Sequence, residues 1–228
     1  MSGSETQHER AVYVDLEWNC WDGAKRSTEH QEIIEIGAVE LDIQTLKVMQ
    51  EKSYLIRPRP FDISQRCTMI TGLSAEDLRS APSFAEVMAQ FEKDFTPKEK
   101  VCCTWGNDGD VLAVSCGRYK VRSPLRNCVD VAQLFWRSFL LRSQPSLQSA
   151  MDMMGLEFDG IAHTALADAR NTARVHAAMI RRIRGVIDAV VVNAPSRDEE
   201  PRTMLFADKL SQALGTGRTG ASTESSDS

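Results

Sequence analysis

The stretch VYVDLEWNC, residues 12–20, decides the fold, because it reads as a buried strand that carries two acids two residues apart. Side chains alternate across a strand, so Val12, Val14 and Leu16 share one face while Asp15 and Glu17 share the other. At a rise of ~3.3 Å per residue the two carboxylates stand roughly 7 Å apart and repel each other. A chain that sets such a pair in an apolar run is expected to hold a cation between them.

Outward from this strand, a β-branched run over residues 33–41 and a second apolar stretch over 47–58 follow, separated by a short break at 42–46. Together with the first strand they predict an antiparallel meander, ended by Pro58 and Pro60. Ser74 with Asp77, and Ser83 with Glu86, have the spacing of capping boxes and predict two helix starts. Behind the second, Phe84, Val87, Met88, Phe91 and Phe95 mark one apolar helical face. VCCTW, 101–105, reads as a buried strand that GNDGD breaks, with a helix expected from VLAV at 111. CVDV, 128–131, predicts another short strand, followed by a helix through 132–141. Ser146 caps a helix over 147–154 that Gly155 stops, and a long helix is expected over 165–184. Three strands followed by helices alternating with two more strands predict an α/β fold, a mixed β-sheet flanked by α-helices.

The 228 residues, 42% hydrophobic and 26% charged, fit one globular domain, expected over 11–193. Residues 1–10 read as a loose lead-in without the apolar core of a secretory signal. From 194 to 228 the composition turns polar and rich in Gly, Ser and Thr, which predicts a disordered tail with one short amphipathic helix at 204–214. No run of eighteen or more apolar residues is present, so no membrane span is expected. Cysteines 20, 67, 102, 103, 116 and 128 form no CxxC pair, and reduced thiols in a cytoplasmic protein are the expectation. A formal charge of −5 argues against a general nucleic-acid coat protein but allows an enzyme that grips a few phosphates locally.

Further acids stand where they can join the first pair. TWGNDGD sets Asp108 and Asp110 just past a strand end, and HTALAD sets His163 five residues before Asp168 at the start of the long helix. Two acids from a strand, one from a strand-to-helix turn and one from a helix make a four-carboxylate pocket. All-oxygen sites suit the hard cations Mg²⁺ and Mn²⁺. Two such ions ~4 Å apart clamp the attacking and leaving oxygens of a phosphoryl displacement. A nearby imidazole can take the proton of the attacking water.

These motifs, in this order, resemble the DEDDh 3′→5′ exonucleases of the RNase H-like superfamily. D-x-E stands as Asp15-Leu16-Glu17, and H-x-A-x-x-D as His163, Ala165 and Asp168. Between them YLIRPRPFDISQRCTMITGLSAEDLRSAPSFAEV, 54–87, is similar to a segment of the histone-mRNA 3′-exonuclease and KapD-type members. The resemblance covers about residues 11–184. The second motif departs from the usual W/C-G-x-x-D, since the expected acid position is Gly109, with acids on either side. Asp110 is favoured, because Val111 and Leu112 follow it as a helix would require; Asp108 is the alternative.

The resemblance implies that Asp15, Glu17, Asp110 and Asp168 hold two divalent ions, Mg²⁺ or Mn²⁺, with His163 as general base. It also implies that Ile70 and Thr71, with Leu16, Trp18 and His163, pack on the 3′-terminal nucleotide. Relatives often carry a small residue after the glutamate, so Trp18 changes the pocket's shape, and Trp21 offers a second stacking surface. The implied activity is removal of nucleoside 5′-monophosphates from single-stranded 3′ ends, RNA preferred. A DNA-directed repair or proofreading enzyme is the first alternative, and an inactive nucleic-acid-binding module of the same fold the second.

Other residues have plainer readings. Trp105 reads as core, His8, His30 and His176 as structural or solvated, and Arg181, Arg182 and Arg184 as complements to a helix dipole. The clusters Arg57-Arg59-Arg66 and Arg118-Tyr119-Lys120-Arg122-Arg126 are either solvated surface or phosphate contacts.

Overall fold

The three expected opening strands form β1 (Arg10–Trp18), β2 (Ile33–Asp42) and β3 (Lys47–Leu55). The computed structural model describes residues 9–20, 31–59, 61–126 and 128–192. Helices α1 (Gln65–Thr71), α2 (Ala75–Arg79) and α3 (Phe84–Phe95) follow, then β4 (Val101–Thr104), α4 (Asp108–Arg118) and β5 (Cys128–Asp130). The chain continues through α5 (Val131–Ser138), α6 (Leu147–Met154) and α7 (Ala165–Val192). The five strands form one sheet in the order β3-β2-β1-β4-β5. β1 pairs antiparallel with β2 and parallel with β4, which makes the sheet mixed, as expected.

The pleat sorts the sheet into two cores. Val12, Val14 and Leu16 of β1 pack with Ile36 and Ala38 of β2 against the apolar face of α3 and Leu112 and Cys116 of α4. On the opposite face Ala11 and Tyr13, with Val39 and Leu41, pack against Ala169, Ala173 and Ala177 of α7. Alanines four apart on α7 let the helix approach the sheet closely. Closest of all is Gly37, where an added Cβ would stand 2.1 Å from the carbonyl carbon of Ala165. Only a glycine admits the helix there. All five apolar residues expected on α3 are buried, and both expected capping boxes are formed.

Several boundaries differ from expectation. α1 was not anticipated: Ser64 caps it by accepting from the Cys67 amide, and Gly72, at φ 76°, ends it. α4 begins at Asp108 rather than 111, within the loop chemistry of GNDGD. α5 stops at Ser138, because Leu140 takes a left-handed conformation and the Trp136 indole donates to the Leu141 carbonyl. α7 extends past 184 to Val192. The chain divides into two compact units, Met1–Ala177 and Ala178–Ser228, with the boundary inside α7. The expected helix at 204–214, residues 1–8 of the expected lead-in over 1–10, His8, His30 and Trp21 lie outside the described residues, and Arg10 already opens β1. All six cysteines are free thiols, and among the described residues no helix is long and apolar enough to cross a membrane.

Candidate active site

The C-terminal end of β1 carries the acids. Asp15 lies opposite Gly37 and Glu17 opposite Glu35 across the β1–β2 ladder, so these four residues share the face on which α7 sits. A register irregularity between Glu17 and Trp18 ends the regular pairing beside the site. Such bulges re-aim side chains at active-site edges.

The neighbouring parallel strand supplies the third acid, and here the favoured residue is corrected. Asp108, not Asp110, lines the pocket with Asp15 and Glu17. Asp108 is buried at 7% exposure and stands close enough to Asp15 for their charges to act on each other, whereas Asp110 is exposed. The reason is the helix register. α4 starts at Asp108, and its buried residues Asp108, Leu112, Ser115 and Cys116 form one stripe. Two residues on, Asp110 is turned by about 200° to the other side. The i, i+4 relation of Asp108 to Leu112 was the signal to read. From the end of β5, the Asp130 carboxylate accepts from the Gly106 amide at 3.0 Å and from the Gln133 amide at 2.9 Å. One side chain thus caps α5 and holds the turn that delivers Asp108.

α7 supplies the rest. The His163 amide donates to Asp168 Oδ2 at 3.1 Å, and the Asp168 amide donates to the Thr164 carbonyl at 3.0 Å, closing the helix start. His163 sits at φ 64°, a left-handed conformation that a non-glycine residue adopts at some cost. Glu17, His163 and Asp168 each present one ligand atom, all within 4.8 Å of one another.

These side chains open onto a cavity of about 320 Å³, lined also by Leu16, Trp18, Cys20, Ile70, Thr71 and Trp105. Leu16, Trp18, Ile70 and Thr71, expected to pack on a terminal nucleotide, are thus brought together on this cavity. The Thr71 hydroxyl is used within α1, donating to the Cys67 carbonyl at 3.0 Å. Trp105 is part of the wall as well as of the core, where its ring lies 6.1 Å from that of Phe135. Cys20 and Trp105 were not anticipated as lining. His176 is structural, half-buried with its Nδ1 2.8 Å from the Tyr13 hydroxyl. Of the basic clusters, Arg118 is committed to the fold: it donates to Glu32 Oε1 and to the Gln31 carbonyl, both at 2.7 Å.

The electrostatics of the cluster are those of crowded acids. Burial, then the charges of Asp108, Asp168, Glu17 and Glu35, hold the Asp15 carboxyl well above the carboxylate range. Burial and the Asp168, Glu35 and Asp108 charges push Glu17 to about 8. Burial raises Asp108 to about 7 and Asp168 above its ordinary value, the latter opposed by His163. Carboxylates this close and this buried lose their repulsion when a divalent cation joins them. The donor set of carboxylate oxygens and one imidazole fits such an ion. Asp15, Glu17, Asp108 and Asp168 could hold it.

A mixed sheet with an acidic cluster at the carboxyl ends of its parallel strands has the RNase H-like fold and carries donors that suit divalent ions. Residues 12–176 match the model of the exonuclease family (RNase_T), and the chain belongs to that family. It is 29% identical over 199 residues to ERI1 exoribonuclease 2 of Xenopus laevis, covering 75% of this chain and 28% of that protein. It is 27% identical over 197 residues to the 3′-5′ exonuclease Snipper of Drosophila melanogaster, covering 75% and 69%. The nuclease domain of 3′hExo, a DEDDh family member bound to rAMP, superposes with a TM-score of 0.70 at 22% identity, over 77% of this chain and 94% of that one. The chain spans about a third of the length of the ERI1 exoribonuclease 2 relatives it matches.

Proposed function

We propose that the protein is a 3′→5′ exonuclease that shortens single-stranded RNA from its 3′ end with two divalent ions, Mg²⁺ or Mn²⁺. The carrying observation is the convergence of Asp15, Glu17, Asp108 and Asp168 with His163 on one cavity with apolar walls. Relatives named as exoribonucleases support the reading of RNA as substrate.

Asp15, Glu17, Asp108 and Asp168 hold the ions in this reading. When bound, the ions neutralise the crowded carboxylates and stabilise charge on the attacking and leaving oxygens of an in-line displacement. His163, exposed at the cavity rim, takes a proton from the attacking water. Water oxygen bonds to phosphorus, the bond to the 3′ oxygen breaks, and that oxygen leaves with a proton as a new 3′-hydroxyl. The released product is a nucleoside 5′-monophosphate. Trp18 and Ile70 stack on and flank the terminal base.

The test is product analysis on matched single-stranded RNA and DNA, with metal and with chelator. Metal-dependent release of nucleoside 5′-monophosphates, faster from RNA, supports the proposal. Faster release from DNA would move the substrate to DNA. Internal fragments would remove the exonuclease reading.

A further inference from the structure

Glu35 is a buried acid to which the proposed chemistry gives no task. It lies opposite Glu17 in the β1–β2 ladder at 6% exposure, where like charges directly opposite destabilise a sheet. Both of its oxygens are engaged. Oε1 accepts from the Ser53 hydroxyl at 2.6 Å, and Oε2 accepts from the Ala165 amide, the first of α7, at 3.1 Å. The first amides of a helix lack partners within it, and a negative charge there is favourable.

Two residues along the same face, Gly37 leaves the space that the Ala165 carbonyl fills. Glu35 thus bonds the helix start from one side while Gly37 lets it seat at contact distance. Ala165 lies two residues after His163 and three before Asp168, and those two are tied by the 3.1 Å bond from the His163 amide.

We infer that Glu35 is a positioning residue: by fixing the first amide of α7 on β2, it sets where His163 and Asp168 stand relative to Asp15 and Glu17. This rests on the exonuclease reading for its catalytic consequence, though not for its effect on metal binding. The anchoring needs an acceptor oxygen at Ala165 and a polar partner for Ser53, not a charge on the ions.

The test compares Glu35→Ala, Glu35→Gln and Ser53→Ala with the wild type, reading kcat and KM on 5′-labelled RNA and Mn²⁺ affinity by electron paramagnetic resonance. Glu35→Ala is expected to lower kcat and weaken Mn²⁺ binding by about 10–100-fold, the scale of lost support to metal ligands, with KM within about twofold. Glu35→Gln keeps a carbonyl for the Ala165 amide and is expected to stay within about threefold of wild type, since the bonds remain formed. An alanine variant that folds with unchanged kcat and Mn²⁺ affinity overturns the inference. So does a glutamine variant as impaired as alanine, because Glu35 would then act on the ions directly. If the alanine variant does not fold, Ser53→Ala at an exposed position decides. A loss of about fivefold in Mn²⁺ affinity, one hydrogen bond's worth, supports the inference, and no change overturns it. If the wild type degrades nothing, the exonuclease reading fails while the Mn²⁺ comparison still decides the role of Glu35.

Discussion

Asp108 stands close enough to Asp15 for their charges to act on each other, so the first turn of α4 meets the end of β1 at one acidic cluster. Two ionised acids this close repel each other, and a cation between them relieves the repulsion. Asp130 reinforces the arrangement from behind by holding Gly106, so the turn that presents Asp108 is built from both parallel strands. The carboxylates are brought together by backbone geometry that costs repulsion when they are ionised. The behaviour of the protein without metal should report that cost.

Glu17 holds its proton to about 8 against an ordinary 4.5, chiefly through burial, and Asp108 holds its own to about 7. A carboxyl whose pKa is raised by folding stabilises the fold below its unfolded value and loses that contribution as pH rises through the folded value. Under chelator the melting temperature is therefore expected to fall between roughly pH 5 and pH 9. Saturating Mn²⁺, which binds the folded state alone, is expected to restore it at the alkaline end. Differential scanning fluorimetry checks this, and a slope unaffected by both metal and Glu17→Gln contradicts it.

His163 stands at the rim of the cavity, within 4.8 Å of ligand atoms on Glu17 and Asp168. His163→Ala is expected to lower kcat by about 10²–10⁴-fold, the range for a lost general base. Mn²⁺ affinity should fall less in this variant than in Asp168→Asn. Single-turnover kinetics beside metal titrations separate the two effects. Wild-type turnover in the alanine variant would remove His163 from the chemistry.

Trp18 and Ile70 flank the cavity that receives the terminal nucleotide in this account. A stacking contact is worth about 1–3 kcal/mol, so Trp18→Ala is expected to raise KM by on the order of tenfold with a smaller effect on kcat. KM values on homopolymers of each base test it. An unchanged KM on all four would place the base elsewhere.

Gly37 is the point where α7 meets the sheet, with an added Cβ only 2.1 Å from Ala165 and 2.3 Å from the Leu166 amide nitrogen. No flexible side chain can yield there, because the obstruction is backbone. Gly37→Ala is expected to cost about 3 kcal/mol or more of stability, at the upper end for overpacking. Urea denaturation measures it, and a loss below about 1 kcal/mol would mean that the helix start shifts freely.

Much of this site is written in local patterns. The alternation in β1 separates Asp15 and Glu17 from Val14 and Leu16, and the spacing of His163 to Asp168 places both at one helix start. The capping boxes at Ser74 and Ser83 read correctly because they involve residues only three apart. What was hidden depends on longer range or on where a helix begins. Asp108 and Asp110 differ by which residue opens α4, and the turn before it is set by Asp130, 24 positions away. Glu35 looked like one more position in a β-branched run. Its task appears only when the amide of Ala165, 130 positions away, is brought onto it.

The decisive measurement is a degradation ladder of 5′-labelled single-stranded RNA in Mn²⁺, comparing wild type, Asp108→Asn and Asp110→Asn. Stepwise shortening from the 3′ end is expected of the wild type and of Asp110→Asn, abolished by chelator. Asp108→Asn should slow it by at least about a hundredfold, the scale of a lost electrostatic contact in the transition state. Loss of shortening in Asp110→Asn with Asp108→Asn unaffected would contradict the arrangement, and no shortening by the wild type would contradict the activity.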